Sequence, residues 1–99
     1  MPSSYRLTEE AAADLDSLAN YTIERFGRAQ AARYSDGLFR AFDLLVVFPQ
    51  LGSDQGHIEQ GLRRHVHGSH AIYYVLQKDE VVIAALLGPG EDPLHRFSE

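Results

Sequence analysis

Apolar positions recur through the first half of the chain at spacings of three and four. Ala11, Leu15, Leu18, Thr22 and Phe26 form one row, widened by Ala19 and Ile23. That periodicity predicts an amphipathic helix with one face turned to a core. Thr8 marks its start as an N-cap, and Glu9 and Glu10 follow in the first turn, where acids suit the positive end of the helix dipole. Gly27, directly after Phe26, is a natural C-terminal stop. A second row begins at once with Ala31, Tyr34, Leu38, Ala41, Leu45 and Phe48, and Phe39, Phe42 and Val46 run beside it. Two rows are more than one buried face needs, so this helix is expected to pack on both the first helix and a sheet. Pro49 and Gly52 end it. Two helices joined through one glycine make an antiparallel helical hairpin.

The period then changes. Residues 53–60, SDQGHIEQ, are polar with a glycine and read as a loop. After Gly61, the residues Leu62, Arg64 and Val66 alternate with Arg63, His65 and His67, the period of a half-buried strand. Gly68 and Ser69 supply a turn. HAIYYVLQ (70–77) and VVIAALL (81–87) are continuous apolar runs, as in central strands buried on both faces, with KDE turning between them. Short links force these three strands into an antiparallel meander. YRLT (5–8) is short enough for an edge strand at one side of it. GPGEDP (88–93) reads as irregular and LHRFSE (94–99) as a short tail. The expected architecture is a single α+β domain spanning 1–99, with an N-terminal strand and a helical hairpin packed on an antiparallel meander.

Composition narrows the function classes. With 44% hydrophobic and 23% charged residues the 99-residue chain is ordinary globular material. The absence of cysteine excludes disulfides and thiolate zinc sites and fits a reducing cytosol. No signal core and no membrane-length apolar run appears, so a cytoplasmic location is expected. The net charge of −5 disfavours a general nucleic-acid binder. Charge is uneven, however: Glu9, Glu10, Asp14 and Asp16 crowd the start, while Arg63, Arg64 and most histidines cluster later.

The segments YRLTEEAAADLDSLANYTIERFG, QAARY, FPQLG and GLRRHVHGSHAIYY, in that order and spacing, resemble the ParE/RelE superfamily of toxins from type II toxin–antitoxin pairs, and the ParE side more closely. The resemblance covers Tyr5 to about Leu87. It implies a RelE/ParE-like fold and a toxin held silent by a ParD-like antitoxin in a hetero-oligomer. ParE-like relatives imply DNA gyrase as target, whereas RelE-like relatives imply ribosome-dependent mRNA cleavage. The C-terminal segment departs from the ParE pattern: Leu87 is followed by Gly88, Pro89, Gly90 and Glu91, and only Asp92, Pro93 and His95 or Arg96 keep part of it.

Metal-free RNA cleavage needs a base, an acid and cations for the phosphate. His65, His67, His70 and His95, with Arg63, Arg64 and Arg96, supply the types. Yet His70 stands about where RelE-like nucleases resemble one another in an arginine, and the tail lacks their lysine and tyrosine. His65 and His67 share a strand face and, with His70 across the turn, could ligate zinc. No carboxylate lies within the stretch to support such ligands, so a polar edge is the plainer reading. Arg63 and Arg64 point to opposite faces, one toward a partner's carboxylates or toward Asp14 or Asp16. Tyr73 and Tyr74 also split between faces, one in the core and one on the sheet's open side. Phe39, Phe42 and Val46 offer either a partner strip or deeper burial.

The sequence is therefore expected to encode a toxin that acts by binding, with no catalytic residue, metal or cofactor. Arg63, Arg64, His65, His67, His70, Tyr73, Phe39, Phe42, His95 and Arg96 are the candidate contacts to antitoxin or target. A nuclease and an inactive binding module are the alternatives. No membrane or sequence-specific nucleic-acid contact is expected.

Overall fold

The computed structural model describes residues 2–97. In chain order the elements are β1 (Ser4–Leu7), α1 (Glu9–Phe26), α2 (Arg28–Val47), β2 (Ser53–Asp54), β3 (Arg63–His67), β4 (His70–Gln77), β5 (Glu80–Leu87) and α3 (Pro93–Phe97). Thr8 caps α1 as expected, its hydroxyl accepting the Ala11 amide at 3.1 Å. Gly27 links the helices at a φ of 89°, in the left-handed region where glycine is favoured.

The sheet order is β1-β5-β4-β3-β2. β3, β4 and β5 form the expected antiparallel meander. β1 lies beside β5 in parallel, Tyr5 opposite Val81 and Leu7 opposite Ile83, so the five-stranded sheet is mixed. The segment read as a loop begins with β2, whose Ser53 and Asp54 pair with Arg64 and Arg63. A further difference is the tail, where Asp92 caps a short helix by accepting the Leu94 amide at 2.9 Å.

Two apolar clusters flank the sheet. Between helices and sheet lie Leu38, Phe42, Leu45, Ile72, Tyr74, Val81 and Ile83, each fully buried. Burying side chains of this size contributes about 1.5–3 kcal/mol apiece. The opposite face is covered as well: Leu62, Ala71, Tyr73, Ala85 and Leu87 are buried under Ile58 and Phe97. The helical rows run out at their ends. Phe26 and Phe48, last in their rows, are 63% and 57% exposed, because each ends its helix at a connection instead of over the sheet.

Candidate partner-binding groove

The strand faces place the polar residues differently from the open rim expected for them. Arg63, His65 and His67 are partly buried on the helix side of the sheet, opposite Tyr74, Ile72 and His70 respectively. Arg63 meets neither Asp14 nor Asp16. Its Nε donates to the Gly52 carbonyl at 2.8 Å and its Nη2 to the Gln50 carbonyl at 3.2 Å, which ties the end of the α2–β2 connection to β3. Arg64 points to the other face, opposite Tyr73. Tyr73 is buried there against Phe97, ring centroids 5.7 Å apart, and is not on an open sheet surface. Phe42 is fully buried against Tyr5, while Phe39 stays 40% exposed on its flank. Burial thus corrects Phe42 and Tyr73 as surface contacts: neither ring is available to a partner in this conformation.

The β3–β4 turn is held by α2 through Tyr34. Its ring lies 5.4 Å from that of His67 and 5.6 Å from that of His70. Its hydroxyl donates to the His67 carbonyl at 3.0 Å and lies 2.8 Å from His70 Nδ1. A hydroxyl has one proton, so both contacts are satisfied together when His70 carries its proton on Nδ1 and donates to Tyr34. That tautomer leaves His70 Nε2 as an acceptor facing Gly88, where an added Cβ would sit 3.2 Å away. His67 is packed under α2, and a Cβ at Gly37 would stand 2.8 Å from its Nε2. Among the described residues no group of three His, Cys, Asp or Glu could hold a metal ion.

Burial pushes the His65 and His70 pKa values below 6.5. Glu91 pulls His70 back up, and the nearby His67 lowers both. The unfolded chain therefore takes up protons near pH 6.5 that the folded chain resists. Stability from the neutral rings is fully present above pH 6.5 and is lost as pH falls from there through the depressed folded values. The melting temperature should drop between about pH 7.5 and 5.5, above the ordinary carboxylate range. A chain carrying His65→Gln and His70→Gln should lose most of that slope. A flat profile in the parent would contradict this account.

Two clefts meet at His70. An apolar one of about 200 Å³ is walled by Leu18, Tyr21, Thr22 and Phe26 of α1, by Gln30 and Tyr34 of α2, and by Ser69 and His70. The other, about 280 Å³, continues along α1 past Ser17 and Asp14 to Leu86 and Glu91. Leu18, Tyr21 and His70 belong to both, so the clefts form one groove along α1. Its apolar end has exposed Tyr21 and Phe26 on the rim, with the Arg25 guanidinium 5.5 Å from the Tyr21 ring centroid. The other end carries Asp14 and Glu91. Arg64 lines a third cleft with Ser69, His70 and Gly88, and His95 and Arg96 line a fourth with Glu91 and Asp92. Periodicity marks Phe26 and Tyr34 as core positions, and only their places at a helix end and beside the turn distinguish them, while Tyr21 lies in neither apolar row. His70 is thus the member of the expected set that the groove brings together with them.

The same architecture occurs in a solved structure titled "Chromosomal ParDE TA system from P. aeruginosa", with a TM-score of 0.74 over 89% of this chain and 96% of that one, at 19% identity. That likeness defines the class by fold alone, a small α+β domain with a helical hairpin packed on a mixed sheet. The profile of the family described as "ParE toxin of type II toxin-antitoxin system, parDE" matches residues 5–93. Toxin ParE1 of Caulobacter vibrioides is 36% identical over 70 residues, 71% of this chain and 73% of that protein. Toxin ParE1 of Mycobacterium tuberculosis is 34% identical over 74 residues, 75% and 76% of the two chains. The chain belongs to the ParE toxin family of type II toxin–antitoxin systems. Among the described residues no helix is long and apolar enough to cross a membrane.

Proposed function

We propose that this toxin is held silent in the cytoplasm by a ParD-like antitoxin and, once freed, acts by binding to DNA gyrase, without a cofactor. The observation that favours binding over RNA cleavage is the engagement of two of the cations a nuclease would need. Arg63 is bonded to the carbonyls of Gly52 and Gln50, and Arg96 to both oxygens of Asp14. A guanidinium held in this way is not available to neutralise a phosphate in the transition state. Family membership supports the antitoxin partner. The groove along α1 gives an amphipathic antitoxin segment an apolar anchor site at Tyr21, Phe26 and Tyr34 and polar contacts at His70 and Glu91. Arg64 and His95, on the neighbouring clefts, Phe39, half-exposed on α2, and the partly buried His65 and His67 are the remaining contacts assigned to antitoxin or target.

The test is induced expression in a bacterial host lacking any antitoxin, with DNA-damage signalling and mRNA integrity followed in one culture. Damage signalling with intact mRNA is expected. Rapid mRNA cleavage without damage would replace this reading with the endonuclease one. Normal growth with folded protein would make the chain a binding module without toxicity.

A further inference from the structure

The C-terminal segment is attached to the domain in an unusual way. α3 has five residues, too few for a helix to persist alone, and none of them is buried. Leu94 is 57% exposed. Arg96 and Phe97 fasten it to the rest of the fold. Arg96 donates to Asp14 of α1 through Nη1 at 2.9 Å and Nη2 at 2.5 Å, a bidentate pair. Phe97 lies against Tyr73. The connection back to β5 is Gly88-Pro89-Gly90, with Gly90 at a φ of 84°. That turn is closed on itself, the Gly88 amide donating to Glu91 Oε1 at 2.7 Å and the Glu91 amide to the Gly88 carbonyl at 3.2 Å.

Beneath this segment lies an apolar surface that a two-layer fold would otherwise leave open. Tyr73, Ala85 and Leu87 are buried there. Val66, opposite Ala71 on the same face, is already 50% exposed, and Arg64 stands opposite Tyr73. Lifting Phe97 would join these residues into one apolar strip beside a guanidinium. Asp14 occupies the junction, since it holds Arg96, accepts the Leu86 amide at 3.0 Å and lines the α1 groove.

We propose that α3 is a latched strap. The Asp14–Arg96 pair keeps it closed over the outer sheet face, it pivots on Gly88–Gly90, and opening exposes the Tyr73–Leu87 strip. Because Asp14 also lines the groove, a cationic group lying there competes with Arg96 and releases the strap. The latch itself does not depend on the gyrase or antitoxin reading, and its test uses the isolated 99-residue chain.

The chain contains no tryptophan, so Phe97→Trp gives a single fluorescent reporter. In this background the emission should be that of a partly shielded indole. Adding Arg96→Gln removes the latch while leaving the Asp14 bond to Leu86 in place. The open population should then rise about tenfold, the effect of losing a charge-assisted pair. It would be read as redder emission, stronger acrylamide quenching and about tenfold faster amide exchange confined to residues 88–97. The far-UV circular dichroism and the main melting transition should persist. Asp14→Asn should act in the same direction, and if it fails to fold, Arg96→Gln carries the test. Should the tryptophan disturb packing, amide exchange in the chain without it reads the same opening. Unchanged quenching and exchange on Arg96→Gln would overturn the latch. Changes appearing only together with global unfolding would show α3 to be part of the core and not a strap.

Discussion

Phe42→Ala is expected to destabilise the domain by about 3–5 kcal/mol, the range for removing a fully buried phenylalanine. Phe42 has no exposed surface, and its ring meets Tyr5 at 5.2 Å and Phe39 at 6.0 Å. It therefore fastens α2 to β1, a four-residue edge strand that pairs with the rest of the sheet on one side only. A domain of this length has roughly 5–15 kcal/mol of total stability, so the substitution removes a large share of it. At about 4–8 °C per kcal/mol the melting temperature should fall by tens of degrees. Phe39→Ala serves as the contrast, because Phe39 is 40% exposed and its removal leaves no closed cavity. Its loss should cost about 1 kcal/mol, typical of a single substitution outside the core. Equilibrium denaturation of both variants decides the matter. Equal costs would mean that the β1 side of the core relaxes around the vacancy and that β1 is not anchored through Phe42.

That contrast also marks what periodicity can and cannot reveal. Spacing placed Phe39 and Phe42 in one apolar row, and the elements it implied are present: the Thr8 cap, the Gly27 link, and the three-stranded meander. A row gives the average direction of a face but not the depth at each position. Depth depends on which neighbour crosses the helix there, and at Phe42 that neighbour is Tyr5, distant in sequence. The parallel pairing of β1 with β5 was illegible for the same reason, as was the cover that Phe97 places over Tyr73. Local signals do carry short-range turns and caps, yet β2 was hidden because its partner lies beyond a loop of polar residues.

The candidate site was less legible than the fold. Alternation correctly put His65 and His67 on one face, but which face receives the helices is a tertiary fact. It turned an expected polar rim into partly buried rings, of which those of His67 and His70 pack on Tyr34. A tyrosine on an apolar row looks like any other core residue until the turn it holds is known. The arginines mislead in the opposite direction: Arg63 and Arg96 look like partner contacts in sequence and are engaged inside the domain. Asp14, read as one acid among four, is the residue on which groove and strap converge.

Gly52→Ala is the second large effect, about 3–4 kcal/mol from overpacking together with displaced hydrogen bonds. The added Cβ would stand 2.7 Å from both Cε1 and the hydroxyl of Tyr74 and 2.8 Å from the Arg64 carbonyl. Tyr74 is fully buried, and its hydroxyl closes the end of α2 by donating to the Pro49 carbonyl at 2.8 Å and accepting the Gly52 amide at 2.9 Å. Arg63 reinforces the same connection through the Gly52 and Gln50 carbonyls. Neither obstacle is the free end of a flexible chain, since one is a packed ring and the other is strand backbone. Relief therefore requires moving the connection as a whole and breaking several of these bonds at once. Tyr74→Phe combined with Gly52→Ala tests the division of the cost. It removes the clash with the hydroxyl but not those with Cε1 or the Arg64 carbonyl, so it should recover no more than a minor part of the loss, with coupling between the two sites visible in the double-mutant cycle. A Gly52→Ala protein melting within a degree or two of the parent would show that the connection yields easily, and that Arg63 and Tyr74 decorate it without holding it.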